Sequence, residues 1–373
     1  MLSVESKEAG NISGNVSISP LLELALKGLP AMFDSGRNLF CYRLKRTREG
    51  MIKEGVSHRY TLMTLMGLFR AQQAGYRSHI NVEPILENLR TNTEWINCAG
   101  DLGLYLWACS QISPVGIERI LGSVDLNAAI ERYSDTSDGR TMELAWLLSG
   151  LAHMRLSKAK YPTDYSDLAF KIYNLLKANQ GPRGIFGHLA NRGSYSGVLR
   201  GRIGTFADQV YPIYALSKFA QAYDVPDAVQ AAKQCATAIC GVQGPLGQWW
   251  WHYDSKTGKT LGEYPVYSVH QEAMGPMSLF ALTDASGQDF TSAIYTGLNW
   301  IAGKNELNYD MRDQDHHLVW RSFYQSKSRE YWSNLSGLLH MPTSPGNLNI
   351  KHECRPYELG WLLYAFAGRV HED

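Results

Sequence analysis

The chain is poor in charge: Asp, Glu, Lys and Arg make up 19% of its 373 residues, and the formal net charge is +1. No run of Lys or Arg stands out, so neither the basic stripe of a nucleic-acid-binding protein nor a membrane-surface patch is expected. No apolar stretch approaches the length of a bilayer-spanning helix. These absences predict a protein that binds no nucleic acid and does not span a membrane.

Cysteine is scarce and shows no pattern. The six cysteines have no CxxC spacing, which is typical of reduced thiols in a cytoplasmic protein rather than of a disulfide framework or a zinc site. Residues 1–18 are polar and lack the charged start and apolar middle of a signal peptide. We therefore expect a flexible N-terminal leader over residues 1–18, a single domain over residues 19–373, and a cytoplasmic location.

The clearest pattern in the chain is a repeated one. Six segments are apolar on nearly all sides and are opened by one or two polar residues. A helix with this character is a buried helix. These segments begin at His58, Asp101, Thr141, Asp208, His270 and Tyr357.

Ordinary amphipathic helices are predicted between these segments, for example in NVEPILENLR and SDLAFKIYNLLKAN. Outer and inner helices that alternate about six times close into a ring of hairpins. The sequence therefore predicts an all-α fold, an (α/α)6 toroid, with a possible β-hairpin from Phe40 to Val56. Three long loops are expected on one rim of the ring: Gln180–Thr205, Gln243–Ser268 and Asn305–Arg321.

This layout resembles the α/α toroid superfamily, which includes six-hairpin glycosidases, unsaturated glucuronyl hydrolases, sugar epimerases, terpenoid cyclases and lanthionine cyclases. The resemblance covers roughly Ser19 to Val370 and is one of architecture. It implies a pocket at the rim where the long loops enter the inner helices. The function must still be argued from the residues at that rim.

The loop that enters the fifth inner segment is rich in aromatic residues and contains three successive tryptophans. Three neighbouring indoles cannot all face one core, so at least one is expected to point into a groove. Flat rings pack on the C–H faces of sugars and also stabilise cations. The predicted substrate-binding residues in this stretch are Trp249, Trp250, Trp251, His252, Tyr264, Tyr267 and Gln271.

Two carboxylates flank the aromatic stretch, Asp254 and Glu272, and His270 lies close in sequence to the second. A pair of carboxylates across a cleft is what acid/base cleavage of a glycosidic bond requires. In glucuronyl hydrolases a similar loop, Gly-x-Trp followed by an acidic residue, enters an inner helix in the same way. The alternative is structural: Asp254 caps a turn and Glu272 neutralises a helix start.

The preceding repeat has the same design, because a glycine-rich loop ending at His188 leads to Asp208 at an inner-helix start. Asp208 is the second catalytic candidate, although a helix cap also explains it. Glu143 has the equivalent place one repeat earlier and is a predicted substrate contact. Arg321, beside Trp320, is suited to clamp a carboxylate or phosphate, and both are predicted to bind substrate.

The leading functional hypothesis is a carbohydrate-active enzyme: a glycoside hydrolase, lyase or epimerase acting on an oligosaccharide or a uronic-acid-containing glycan. Asp254 or Glu272 is its predicted acid/base and Asp208 the partner, with His270 as a further catalytic candidate that also orients an acidic group.

Two other classes stay open. A terpenoid or other small-molecule cyclase would hold a carbocation on the same aromatic rings, with Asp313 or Asp315 as proton donor. A non-catalytic glycan-binding or scaffold protein of a polysaccharide pathway would use the rim without turnover. No metal or cofactor is expected, since no calcium-loop, phosphate-loop or dinucleotide pattern occurs. The oligomeric state is not predicted.

Overall fold

A computed structural model describes residues 16–123, 140–157, 159, 161, 163–189, 201–325 and 348–369. The predicted leader, residues 1–18, lies largely outside the described residues. At its end Val16 and Ile18 are buried, and the first helix begins at Ile18. Among the described residues, no helix combines the length and the apolarity that a membrane span requires.

Twelve helices are present in the described ranges and account for most of the ordered backbone. In chain order they are α1 (Ile18–Met32), α2 (His58–Gln73), α3 (Val82–Thr91), α4 (Ala99–Ile112), α5 (Ile117–Ser123), α6 (Thr141–Leu156), α7 (Ser166–Ala178), α8 (Ala207–Tyr223), α9 (Pro226–Gly241), α10 (Gly275–Ser286), α11 (Thr291–Ile301) and α12 (Pro356–Phe366). A π-helical turn, His270–Met274, leads directly into α10.

The even-numbered helices form an inner ring and the odd-numbered helices surround it. Each even-numbered helix coincides with one of the six apolar segments of the sequence and is buried on most sides. Successive inner helices contact one another, and α12 contacts α2, so the ring is closed. The predicted (α/α)6 toroid is confirmed.

Aromatic side chains fill the bore of the ring. Trp107, Tyr214, Trp361 and Tyr364 are buried there, and the indole of Trp107 stacks on Tyr214 and Trp361 at ring-centroid distances of 4.6 and 5.2 Å. The two tyrosine hydroxyls lie 2.6 Å apart. The bore is therefore a packed core, and open space belongs to the two rims.

Short strands tie the loops together. The predicted hairpin is confirmed as β2 (Leu39–Thr47) with β3 (Gly50–Val56); β1 (Phe33–Asp34) and β11 (Glu353–Cys354) also pair with β2. In the long loops β4 (Ile203–Thr205) pairs with β5 (His252–Asp254), β6 (Val266–Tyr267) with β9 (Ser322–Tyr324), β9 with β10 (Asn349–Lys351), and β7 (Arg312–Asp313) with β8 (Leu318–Val319).

Candidate active site

The polar residues that open the inner helices meet at one rim of the ring, since all six inner helices start there. The β4–β5 pair is central to this rim, because it places Thr205 opposite His252 and so joins the loops that enter α8 and α10. Two loops distant in sequence thereby present their side chains to one space.

Asp208 is buried at the first turn of α8. Its Oδ2 accepts hydrogen bonds from the backbone N–H and the hydroxyl of Thr205, both at 2.8 Å. The same oxygen lies 2.9 Å from Nδ1 of His188, and Oδ1 accepts from the N–H of Met142 at 3.3 Å. Asp208 therefore lies inside the first turn, after the N-cap residue Phe206, and its carboxylate links the loop before α8 to the start of α6 and to a histidine.

His188 is the functional residue that sequence reasoning did not select. Its side chain is 23% exposed, so it faces the rim more openly than the buried carboxylate behind it. Because Asp208 engages Nδ1, Nε2 is the ring nitrogen left for proton transfer to a ligand. The glycine-rich loop that ends at His188 marks this part of the sequence, but no local pattern predicts that His188 contacts Asp208, twenty positions later.

His252 lies half-buried next to this pair, and its ring centroid is 5.6 Å from that of Trp251. Burial lowers the pKa of His252 to about 4, with His188 acting in the same direction and Asp208 opposing it. The imidazole is consequently neutral at ordinary pH and able to accept a proton or a hydrogen bond.

The three successive tryptophans separate as the aromatic argument expected. Trp249 is fully buried and Trp250 is 9% exposed, whereas Trp251 is half-buried. Trp251 stacks on His270 at 5.4 Å with an interplanar angle of 10°, and Tyr267 lies 4.9 Å from it. Trp251 and Tyr267, which we call the aromatic wall, are partly exposed at the rim.

The other predicted contacts in this region hold the loops in place. Gln271 accepts a hydrogen bond from the Trp249 N–H at 3.1 Å and donates to the Tyr267 carbonyl at 3.2 Å. Tyr264 donates to Glu306 at 2.7 Å, and Trp320 is 1% exposed. These residues are buried and hydrogen-bonded within the loops around the aromatic wall.

Asp254 forms a bidentate ion pair with Arg202. It also accepts from the N–H of Lys256 at 2.9 Å and the hydroxyl of Thr257 at 2.8 Å. Burial opposes ionisation, but Arg202 and these hydrogen bonds outweigh it and lower the pKa of Asp254 to about 2. A carboxylate with so low a pKa and all these partners is consistent with the turn interpretation and is poorly suited to donate a proton near neutral pH.

Glu272 has the opposite environment, inside the π-helical turn and fully buried. Neither carboxyl oxygen has a hydrogen-bond partner among the described residues. Burial, and then the nearby Glu358, raise the pKa of Glu272 well above its usual value. Burial also lowers the pKa of His270 to about 3. Burial therefore favours the uncharged form of both side chains in this turn.

Arg321 stands behind the aromatic wall, with its guanidinium 4.9 Å from the centre of the Tyr267 ring. It is 8% exposed and pairs with Glu358 and, at 3.3 Å, with Glu353. These carboxylates already occupy the guanidinium, so Arg321 fixes Tyr267 and the start of α12 rather than offering an open clamp. Within the described ranges, no group of three or more His, Cys, Asp or Glu side chains is placed to hold a metal ion.

Comparison with known proteins decides the fold. No protein-family model matches the chain, and no curated protein matches it in sequence. An unsaturated glucuronyl hydrolase from Streptococcus agalactiae is similar in structure, with a TM-score of 0.62, 10% identity and coverage of 95% of this chain and 93% of that one. This chain is an α/α toroid.

Two further structures support this conclusion. A possible member of the GH105 family from Klebsiella pneumoniae has a TM-score of 0.61 at 12% identity, covering 98% of this chain and 96% of that one. Cellobiose 2-epimerase from Bacillus thermoamylovorans has a TM-score of 0.59 at 11% identity, covering 94% and 99%. At such identities the likeness shows the fold and leaves the activity to be argued from the site.

In this toroid the polar residues of the rim form two arcs. One arc, at the starts of α8, α10 and α12, holds the Asp208–His188 pair and the aromatic wall. The other, at the starts of α2, α4 and α6, holds the Arg59–Asp101 ion pair and Glu143. Glu143 is 6% exposed and lies 3.8 Å from Arg140. Carboxylates thus occur at the starts of several inner helices, and most of those within the described residues are paired with a cation or a histidine.

Proposed function

We propose that this toroid is a carbohydrate-active enzyme that acts on an oligosaccharide or a uronic-acid-containing glycan at the rim formed by α8, α10 and α12. The observation that carries the proposal is the Asp208–His188 pair beside the aromatic wall. A proton-transfer group next to half-exposed aromatic faces suits a sugar ring and its hydroxyls. The similarity in fold to a glucuronyl hydrolase and a cellobiose epimerase supports it.

Each residue of the rim has a defined task in this proposal. His188, oriented by Asp208, transfers the proton, and neutral His252 accepts a hydrogen bond from a sugar hydroxyl. Trp251 and Tyr267 stack on the ring. Glu272 stays the proposed proton donor, because burial raises the pKa of its carboxyl and neither oxygen has a described hydrogen-bond partner.

The remaining predicted residues position these groups or contact the substrate from the opposite part of the rim. His270 positions Trp251 by stacking, and Asp254 holds the loop through Arg202. Glu143 stays a proposed contact from the α6 side of the rim. All six cysteines are free thiols, which agrees with the cytoplasmic location that we propose for the enzyme.

The packed bore disfavours the cyclase alternative, since Trp107, Tyr214, Trp361 and Tyr364 occupy the space that an isoprenoid chain would need. Asp313, its predicted acid, instead accepts backbone hydrogen bonds from Asp315 and His316, both at 3.0 Å, and so closes the β7–β8 turn. This carboxylate lies in a hairpin of its own, apart from the aromatic wall.

The test is product analysis after incubation with neutral and uronic-acid oligosaccharides, using mass spectrometry for changes in mass and NMR for epimers. A gain of water identifies a hydrolase, an unsaturated product a lyase, and a new stereoisomer of equal mass an epimerase. The Asp224→Asn variant, altered at an exposed position after α8, is the matched control and should behave like the natural chain. Binding without any product would contradict the enzyme proposal and favour a glycan-binding protein, and turnover of isoprenoid diphosphates would favour a cyclase.

A further inference from the structure

A small cavity lies at the opposite rim, where the inner helices end. It opens to solvent, and about 240 Å³ of unfilled space, part of it open solvent, lies between its lining residues. Side chains from helices α2, α8, α10 and α12 and from the segment after α12 line it, so it lies between four of the six inner helices. Its polar and aromatic lining includes Arg70, Tyr214, Lys218, Phe280, Asp284 and Arg369.

The charges that face this cavity are unbalanced. Arg369 pairs with Asp284 at 2.5 Å. The guanidinium of Arg70 lies over Tyr364 at 4.8 Å and makes no hydrogen bond or ion pair with a described residue. Lys218 donates to the neutral Gln221 at 3.0 Å. Three cations therefore face one carboxylate, and two of the cations lack an acidic partner among the described residues.

Burial and the neighbouring cations both lower the pKa of the Lys218 ammonium. Burial lowers its pKa to about 8, and Arg70 and Arg369 act in the same direction while Asp284 opposes them. Helix ends attract cations within the last turn. This interaction favours Arg70, which lies in the last turn of α2, but not Lys218, which lies more than one turn before Tyr223, the last residue of α8. The cations thus repel one another across the cavity, and an anion between them would relieve that repulsion.

We propose that this cavity binds a small oxyanion, such as phosphate or sulfate, between Arg70 and Lys218. A guanidinium presents two parallel N–H groups to an oxyanion and an ammonium adds a point charge. Tyr364 and Tyr214 form the aromatic floor beneath these two cations. The site is independent of the carbohydrate proposal, because it lies at the other rim and uses none of the same residues.

Calorimetric titration of the full chain with inorganic phosphate and with sulfate, at constant ionic strength, tests this proposal. Saturable binding is expected, with at least a ten-fold loss of affinity in Arg70→Gln. The matched control is Arg77→Gln, because Arg77 is exposed near the same helix end and does not line the cavity. Lys218→Gln is the second variant if Arg70→Gln does not fold.

An independent readout is the pKa of Lys218, followed by NMR of the chain with its lysines reductively methylated. It should rise when the oxyanion is added, because the anion stabilises the ammonium. The proposal would be overturned if neither oxyanion gave saturable heat or if Arg70→Gln bound them with unchanged affinity. It would also be overturned if chloride alone raised the pKa of Lys218 in the same way.

Discussion

Two carboxylates beside the aromatic loop, Asp254 and Glu272, have nearly opposite chemistry. The sequence treats them alike, as acids that flank a tryptophan run. Asp254 is ionised because it pairs with Arg202, which lies 52 residues away in the chain. Glu272 has a raised pKa because the π-helical turn buries it without a described partner. Since both causes are three-dimensional, the roles of these residues were not predictable from local sequence.

Asp254→Asn tests the structural role of this carboxylate. We expect the free energy of unfolding at pH 7 to fall by about 2 kcal/mol, because charged hydrogen bonds to Arg202 are lost, and turnover to fall less than ten-fold. Urea unfolding and steady-state kinetics measure the two effects, with Asp224→Asn as control. A loss of turnover larger than a hundred-fold in a stable variant would restore Asp254 as a catalytic group.

The loss of folding stability in Asp254→Asn should depend on pH in a direction set by the pKa of Asp254. The folded pKa of Asp254, about 2, is below the unfolded value of about 3.9. Its ionisation therefore stabilises the fold above pH 4, and this contribution disappears as the pH falls from about 4 to about 2. The stability difference between Asp254→Asn and the natural chain should shrink over that window.

Glu272→Gln should change stability with the opposite sign. The pKa of Glu272 is raised in the folded state, so the natural chain loses stability as the pH rises above the unfolded value of about 4.3. The neutral amide escapes that loss, and the variant should gain relative stability between pH 4 and pH 8. Urea unfolding across this range measures it, and a pH-independent difference would show that Glu272 ionises freely in the fold.

At the level of secondary-structure elements, the contact between helices α2 and α12 closes the ring. Gly67 and Gly360 meet there, and a Cβ on Gly67 would overlap the Gly360 carbonyl. Gly67→Ala should therefore lower the free energy of unfolding by about 2–3 kcal/mol. Gly241→Ala, at the end of α9 with nothing near its added Cβ, should be neutral or stabilising by up to about 1 kcal/mol. Equal effects in thermal unfolding would contradict the close packing of α2 on α12.

The inner helices were predictable because their signal is local: each is a run of apolar residues opened by a polar one. The β2–β3 hairpin was also predictable from its pattern. The β4–β5 pair was not, since it joins three-residue strands that are about fifty residues apart, and no periodicity marks them. That pairing sets His252 opposite Thr205 and near the Asp208–His188 pair, so the site is less predictable than the fold.

At the scale of the whole molecule, the closed ring gives the two rims different characters. Helix starts gather Asp208, Glu272 and Glu358 at one rim, and helix ends gather Arg70 and Lys218 at the other. The sequence predicted the first rim, because inner-helix starts can be aligned by eye. It gave no sign of the second, because the cations there come one each from α2, α8 and the segment after α12.

The most direct test of the account is the kcat/KM of Asp208→Asn and His188→Gln on whichever oligosaccharide the natural chain converts. Both variants should keep the fold and lose about 10²–10⁴-fold in kcat/KM, because both remove the same oriented proton-transfer group. The double variant should be little worse than either single one. Turnover within about three-fold of the natural chain in both folded variants would contradict the claim that this pair carries the reaction.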